Sequence, residues 1–257
     1  MARPAFLANL PRPALVAHRG GGLLRPENTL EAFAHALELG ADVLELDVRL
    51  SKDGQVVVIH DGLLDRTTDG SGPVEARTLG ELRALDAGAR FTRGGEAPFR
   101  GRGVRIPTFE EVLTAFPRAR LNVELKTAAP GLLEGFAVLV ERHRCHDRLC
   151  AGSALDEVAE QVRTRLPGLC LFYPELAARA WVLRAKGMTD VPEPPRYDVL
   201  ELPFDLDGAP LVDAALVEAA HAEGIDVQVW TLNDAASMRR ALEAGVDGIM
   251  TDEPALL

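Results

Sequence analysis

VLELDVRLSKDGQVVVIHD, residues 43–61, decides the fold. Glu45 and Asp47 stand two residues apart on an apolar run, the chain turns at Lys52, Asp53 and Gly54, and a second apolar run ends at His60. Side chains on a strand repeat every second residue, so the two carboxylates project from one face, roughly 6 to 7 Å apart along the backbone. The turn is too short for a crossover, so the second run returns antiparallel. That brings His60 back towards Asp47 and sets two acids and an imidazole on one patch of sheet.

Working outward, Ala14 to Ala17 forms a short strand ending in His18, Arg19 and Gly20, followed by a helix over 29–39 with Leu30, Phe33, Ala34 and Leu37 on one face. Asn28 with Glu31 reads as the cap and capping box of that helix, and Gly40 as its stop. After the hairpin, regularity breaks over residues 62–106, a Gly- and Arg-rich stretch with one short helical piece near Leu79. A loop of that length in a compact domain is usually functional, and it is expected to form a lid-like insertion. Thr108 and Glu111 then form a capping box for a helix exposing Phe109, Val112, Leu113 and Phe116 to one side.

From there apolar runs near residues 121, 149, 169, 199, 227 and 248 alternate with helix-like segments, for instance over 132–143, 156–166, 211–222 and 234–244. With the returning arm of the hairpin set aside, these make eight strand–helix units. Alternation implies a parallel sheet, and eight units in 257 residues imply a (β/α)8 TIM barrel, with an open doubly wound sheet as the alternative. The expectation is one domain over 1–257, with an inserted cap region at about 62–106 between the second strand and the second helix.

A net charge of −11 argues against a general nucleic-acid or anionic-membrane binder. Cys145, Cys150 and Cys170 lack metal-site spacing and are expected to be buried thiols. No run has the length of a signal peptide's apolar region or of a transmembrane span, and a cytoplasmic setting without stable membrane association is expected.

In barrels of this kind chemistry sits where strands end. His18 and Arg19 end the first strand, Glu45 and Asp47 the second, Glu124 and Lys126 the third, and Trp230 the seventh. Two bare carboxylates ~4 Å apart repel by roughly 4 kcal/mol at an effective dielectric of about 20. A cation relieves that, and three oxygen-donor acids favour Mg²⁺ or Ca²⁺ over zinc; pairing with rim arginines or lysines is the structural alternative. His18 and His60 can serve as general acid and base at phosphorus. Arg19 and Lys126 can hold a phosphoryl group. Trp230 is either core or pocket wall. Ser153, Tyr173, Glu201 and Asp252 also fall at strand ends, without a partner that defines a role.

Taken together, AHRG with PENT, LELDV, LSKDG, VVIHD, LDRTTDGSG, IPTFEEVL, NVELK, VWTLN and DGIMTD resemble the glycerophosphodiester phosphodiesterase family from about Leu15 to Pro254. The resemblance implies a TIM barrel with a small cap. It implies metal-dependent hydrolysis of glycerophosphodiesters to glycerol 3-phosphate and an alcohol, a reaction of lipid and glycerol metabolism. It places Glu45, Asp47 and Glu124 as ligands of a divalent cation, Mg²⁺ or Ca²⁺ with Mn²⁺ as a further candidate. His18 and His60 become the acid/base pair, Arg19 and Lys126 phosphate contacts, and Trp230 a substrate-facing aromatic; taking His18 as the acid and His60 as the base is a further assignment that the resemblance does not fix. The partner implied is a small-molecule diester. Two other readings use the same barrel: a phosphodiesterase for lysophospholipids or phosphoinositides, disfavoured because no long apolar patch lies near the insertion, and a non-catalytic binding module, disfavoured because no catalytic residue is missing.

Overall fold

The computed structural model describes residues 3–206 and 208–257. The first strand, β1 (Ala14–Ala17), leads through the His18–Gly20 turn to α1 (Leu30–Glu38) and then to the hairpin of β2 (Val43–Leu50) and β3 (Val56–Val58). Helix α1 is capped by Thr29, whose side chain accepts from the Ala32 amide, one residue later than the sequence suggests. Asn28 is drawn out of the cap because its side chain bonds Asp47 instead.

After α2 (Leu79–Arg83) and α3 (Phe109–Ala115), strand and helix alternate as β4 (Arg120–Leu125), α4 (Leu132–His143), β5 (Leu149–Gly152), α5 (Asp156–Arg165), β6 (Cys170–Leu171) and α6 (Glu175–Ala185). Then come β7 (Val199–Pro203), a small hairpin of β8 (Asp205–Leu206) and β9 (Ala209–Pro210), α7 (Ala214–Ala222), β10 (Asp226–Trp230), α8 (Ala235–Ala244) and β11 (Gly248–Thr251). The sheet runs β6-β5-β4-β2-β1-β11-β10-β7, all parallel, with β3 antiparallel on β2. A parallel bridge between Phe172 and Val199 links β6 to β7, so the eight strands come round to a nearly closed barrel. This is the TIM barrel expected from the alternation.

Period-two alternation explains the layers. Leu44, Leu46 and Val48 of β2 join Leu121, Val123 and Leu125 of β4 in the apolar shell between strands and helices. Inside the barrel a second cluster, with Val16, Val43, Cys150 and Cys170, is met by Phe6 and Leu7 from the N-terminal segment. The three cysteines are buried and free. Residues 62–106 contribute Leu64, Val74, Leu82, Val104 and Ile106 to a small cluster of their own over Val57 and Ile59. The hairpin turn is tied to this segment, with the Lys52 amide 2.8 Å from the Arg77 carbonyl and the Leu79 amide 2.9 Å from Asp53 Oδ1.

Candidate active site

Strand register builds the site. Asp47 pairs with Glu124, and Glu45 with Asn122, across β2 and β4. Partners in register share a face, so all four side chains enter the barrel mouth. The hairpin does what its length requires: the Ile59 amide bonds the Asp47 carbonyl at 3.0 Å, and His60 follows beside the acids. A cavity of about 880 Å³ is lined by His18, His60, the three acids, Arg19, Lys126 and Trp230, so these eight candidates from the sequence meet there. Trp230 is 43% exposed, which places it on the pocket wall rather than in the core.

The turn after β1 aims backbone as well as side chains. Arg19 has a left-handed φ of 50°, uncommon outside glycine, and its amide donates to Glu45 Oε2 at 2.7 Å. Gly20 follows at φ 81°, and a Cβ there would stand 2.8 Å from the Phe33 ring, so the position accepts only glycine.

Each histidine is held through Nδ1. His18 Nδ1 lies 2.7 Å from Asp252 Oδ1, and His60 Nδ1 lies 2.6 Å from Asp61 Oδ1. An Nδ1–H donated to a carboxylate leaves Nε2 free to exchange a proton. Burial disfavours the charged form of His18, but the Asp252 hydrogen bond and the charge of Glu45 outweigh it, and its pKa is raised. Asp252 also accepts from Asn233 Nδ2 at 2.9 Å. Arg66, from the inserted segment, donates to Asp61 at 2.7 Å and forks onto Glu27 at 2.6 and 2.8 Å. The Arg66 hydrogen bond, with His60, holds the Asp61 carboxyl well below the usual range. Glu27 in turn accepts from Arg19 at 3.0 Å.

Three carboxylates and two cations share the polar side. Lys126 Nζ lies 3.0 Å from Glu124 and 3.5 Å from Asp47, and Arg19 Nε lies 3.5 Å from Asp47. Arg19 Nε is buried without a hydrogen bond. Asn28, at φ 57°, donates to Asp47 Oδ2 at 2.8 Å. Burial and the charge of Asp47 push Glu45 up to about 8. Among the described residues no three His, Cys, Asp or Glu side chains are gathered closely enough to hold a metal ion. Lys126 stands between Asp47 and Glu124, within reach of both. The chemistry of the three acids still fits a hard cation: all donors are carboxylate oxygens, and Glu45 is a buried acid whose charge is inadequately offset.

Sequence reasoning assigned no role in the site to Asp252, Asp61, Arg66, Glu27, Asn28 or Glu201, and read Asn28 as a helix cap. A signal for Asp252 did exist, since closure of the barrel makes the first and last strands neighbours and Ala17 pairs with Thr251. Glu201, on β7, lines the same cavity and accepts from Asn122 Nδ2 at 2.6 Å; burial pushes it up to about 8.

Known phosphodiesterases share this barrel. The chain belongs to the glycerophosphoryl diester phosphodiesterase family, an enzyme family whose pattern matches residues 18–136 and 179–256. It is 36% identical over 251 residues to a glycerophosphodiester phosphodiesterase of Caldanaerobacter subterraneus subsp. tengcongensis, covering 95% of each chain. It superimposes on the glycerophosphoryl diester phosphodiesterase domain of a Mycobacterium tuberculosis protein with a TM-score of 0.84 at 26% identity, covering 95% of this chain and 97% of that one. An Oleispira antarctica phosphodiesterase, solved with its product sn-glycerol-3-phosphate, matches with a TM-score of 0.78 at 27% identity over 95% and 94%.

Proposed function

We propose that the protein hydrolyses glycerophosphodiesters to glycerol 3-phosphate and an alcohol, through His18 as general acid and His60 as general base. The observation that carries this reading is the matched pair of histidines on one cavity, each held at Nδ1 by a carboxylate, Asp252 at 2.7 Å and Asp61 at 2.6 Å. The product bound by the Oleispira neighbour supports the choice of substrate.

His60 Nε2 takes the proton of the attacking oxygen, that of water or of the neighbouring glycerol hydroxyl, as its bond to phosphorus forms and the bond to the leaving oxygen breaks, and Asp61 stabilises the imidazolium; a cyclic phosphate formed by the glycerol hydroxyl is opened by water. His18, whose pKa is raised, retains its proton and delivers it to the departing alkoxide. Arg19 and Lys126 face the phosphoryl oxygens as fork and point charge. Trp230 forms a wall against the substrate. Glu45, Asp47 and Glu124 would hold a divalent cation, Mg²⁺, Ca²⁺ or Mn²⁺, which supplies Lewis acidity at phosphorus and lowers the pKa of a hydroxyl. One barrel domain over 1–257, the segment at about 62–106 as a cap, and a cytoplasmic setting complete the proposal; among the described residues no helix is long and apolar enough to cross a membrane.

Release of glycerol 3-phosphate from glycerophosphocholine and glycerophosphoethanolamine, with and without EDTA, tests it. Activity abolished by chelation and restored by a divalent cation is expected, as is a fall of at least ~10² in turnover for His18→Ala and for His60→Ala. Full activity in both variants overturns the histidine roles, and chelator-insensitive activity overturns the cation.

A further inference from the structure

Residues 90–105 carry five arginines, Arg90, Arg93, Arg100, Arg102 and Arg105, against one acid, Glu96, in a chain whose net charge is −11. All five are exposed, and the site described above uses none of them. Arg90, Arg100 and Arg105 donate to the backbone carbonyls of Thr68, Ala89 and Leu85. Among the described residues only Arg93 reaches a carboxylate, that of Glu253 at 4.0 Å. A carbonyl oxygen takes one N–H of a guanidinium and leaves its charge and its other donors free. Asp86, the acid that packs under this stretch, is spent on backbone, accepting from the Gly88 and Gly101 amides at 2.9 and 2.7 Å.

The loop is preformed. Gly94 and Gly95 take φ of 61° and 83°, and Arg93 and Glu96 exchange backbone hydrogen bonds of 2.9 and 3.1 Å across them, which makes a two-residue hairpin turn. Phe91 and Phe99 meet edge to face at 5.4 Å, and the guanidinium of Arg25, from the turn after β1, lies 5.5 Å from the Phe99 ring centroid. Glu253 follows β11. These contacts set the loop over the ends of β1 and β11, the end of the barrel that carries His18 and Asp252. Leu23, two residues before Arg25, is 48% exposed. Charges more than about 8–10 Å away are screened at physiological ionic strength, so a partner meeting this edge feels the arginines more than the net charge.

We propose that this edge docks the enzyme reversibly on an anionic phospholipid surface, with Arg25, Arg93 and Arg102 meeting lipid phosphates and Leu23 entering the interface. Guanidinium forks fit phosphate oxygens, and clustered basic side chains are drawn to anionic lipid. Nucleic acid is the other polyanion an arginine- and glycine-rich stretch could meet. Its bases need free aromatic faces, whereas Phe91 and Phe99 pack on each other and Arg25 covers Phe99. The exposed leucine beside the arginines also suits a lipid interface. Such docking is weak and salt-sensitive, unlike stable anchoring, and it is independent of which diester is cleaved.

Co-sedimentation of the whole protein with sucrose-loaded vesicles tests it, using phosphatidylcholine alone beside phosphatidylcholine mixed with phosphatidylglycerol, at low and at high salt. Partitioning onto the anionic vesicles should exceed that onto the neutral ones by roughly tenfold or more, and high salt should remove most of the difference. Arg93→Gln combined with Arg102→Gln should weaken it by roughly tenfold or more, at about fivefold per arginine, and Leu23→Ser should weaken it further. Arg118→Gln, at an exposed position before β4 and hence at the opposite end of the barrel, should leave it unchanged. Arg102→Gln alone guards against a folding defect, and a loss of about fivefold with an unchanged Tm is expected there. Equal partitioning onto neutral and anionic vesicles overturns the inference, as does a preference undiminished in the double variant. Tighter binding of a single-stranded RNA oligonucleotide than of anionic vesicles, undiminished by Leu23→Ser, assigns the edge to nucleic acid and overturns it too. None of these failures touches glycerophosphocholine hydrolysis, so the phosphodiesterase reading stands or falls separately.

Discussion

His18, at the end of the first strand, and Asp252, just past the last, meet at 2.7 Å across the seam where the barrel closes. The contact orients the imidazole from behind and raises its pKa against the opposing effect of burial. It joins two residues at opposite ends of the chain in one hydrogen-bonded pair.

Asp252→Asn should therefore lower kcat/KM by about 10² and also change its pH dependence. A general acid works below its pKa, and removing the Asp252 charge lowers the pKa of His18. The alkaline limb of the pH–rate profile should move to lower pH. A loss of rate with an unmoved limb would reduce Asp252 to a scaffold.

Arg66 ties residues 62–106 to the site, reaching Asp61 behind His60 and Glu27 beside Arg19. Arg66→Ala should cost roughly 10-fold or more in kcat/KM by loosening His60, with little change in Tm because the pair is half exposed. Arg66→Lys cannot fork onto both acids and should recover only part of the rate. Unchanged kinetics in Arg66→Ala would detach the segment from the chemistry.

Asn28 holds a φ of 57° and bonds Asp47 Oδ2 at 2.8 Å from a buried position. Asn28→Ala loses the bond and retains the strain, and should destabilise by about 2 kcal/mol, seen as a drop of roughly 4–8 °C in Tm. Asn28→Gly relieves the backbone but not the bond and should fall between. Equal Tm values for the alanine variant and the parent would contradict this account.

Glu201 predicts a pH dependence of stability. Its folded pKa is raised to about 8, above its ordinary value of 4.5, so between these values the folded chain binds more protons than the unfolded one. Stability then falls as pH rises through that window. Glu201→Gln keeps an oxygen to accept from Asn122 and cannot ionise, so its Tm should decline less between pH 5 and pH 8, by a few degrees. Parallel Tm curves for parent and variant would show Glu201 ionised at no cost.

Much of the site was legible because strands impose a simple rule. Glu45 with Asp47, and the return of His60 to their level, follow from period two and a short turn, and the capping box at Thr108 and Glu111 stands as its spacing suggests. What escaped were contacts between distant segments. Asn28 looks like a helix cap locally, yet Asp47, nineteen residues away, competes for its side chain and wins, and Thr29 caps the helix.

By itself the sequence determined the barrel, because eight apolar runs separated by helical segments have few ways to bury both faces of a parallel sheet. It also determined which polar residues end the strands. Only the tertiary structure decided how they are held: closure brought Asp252 to His18, and β2–β4 register set Asp47 beside Glu124 with Lys126 between them. Periodicity is a local property written along the chain, whereas these contacts depend on where the barrel's curvature places residues remote in sequence.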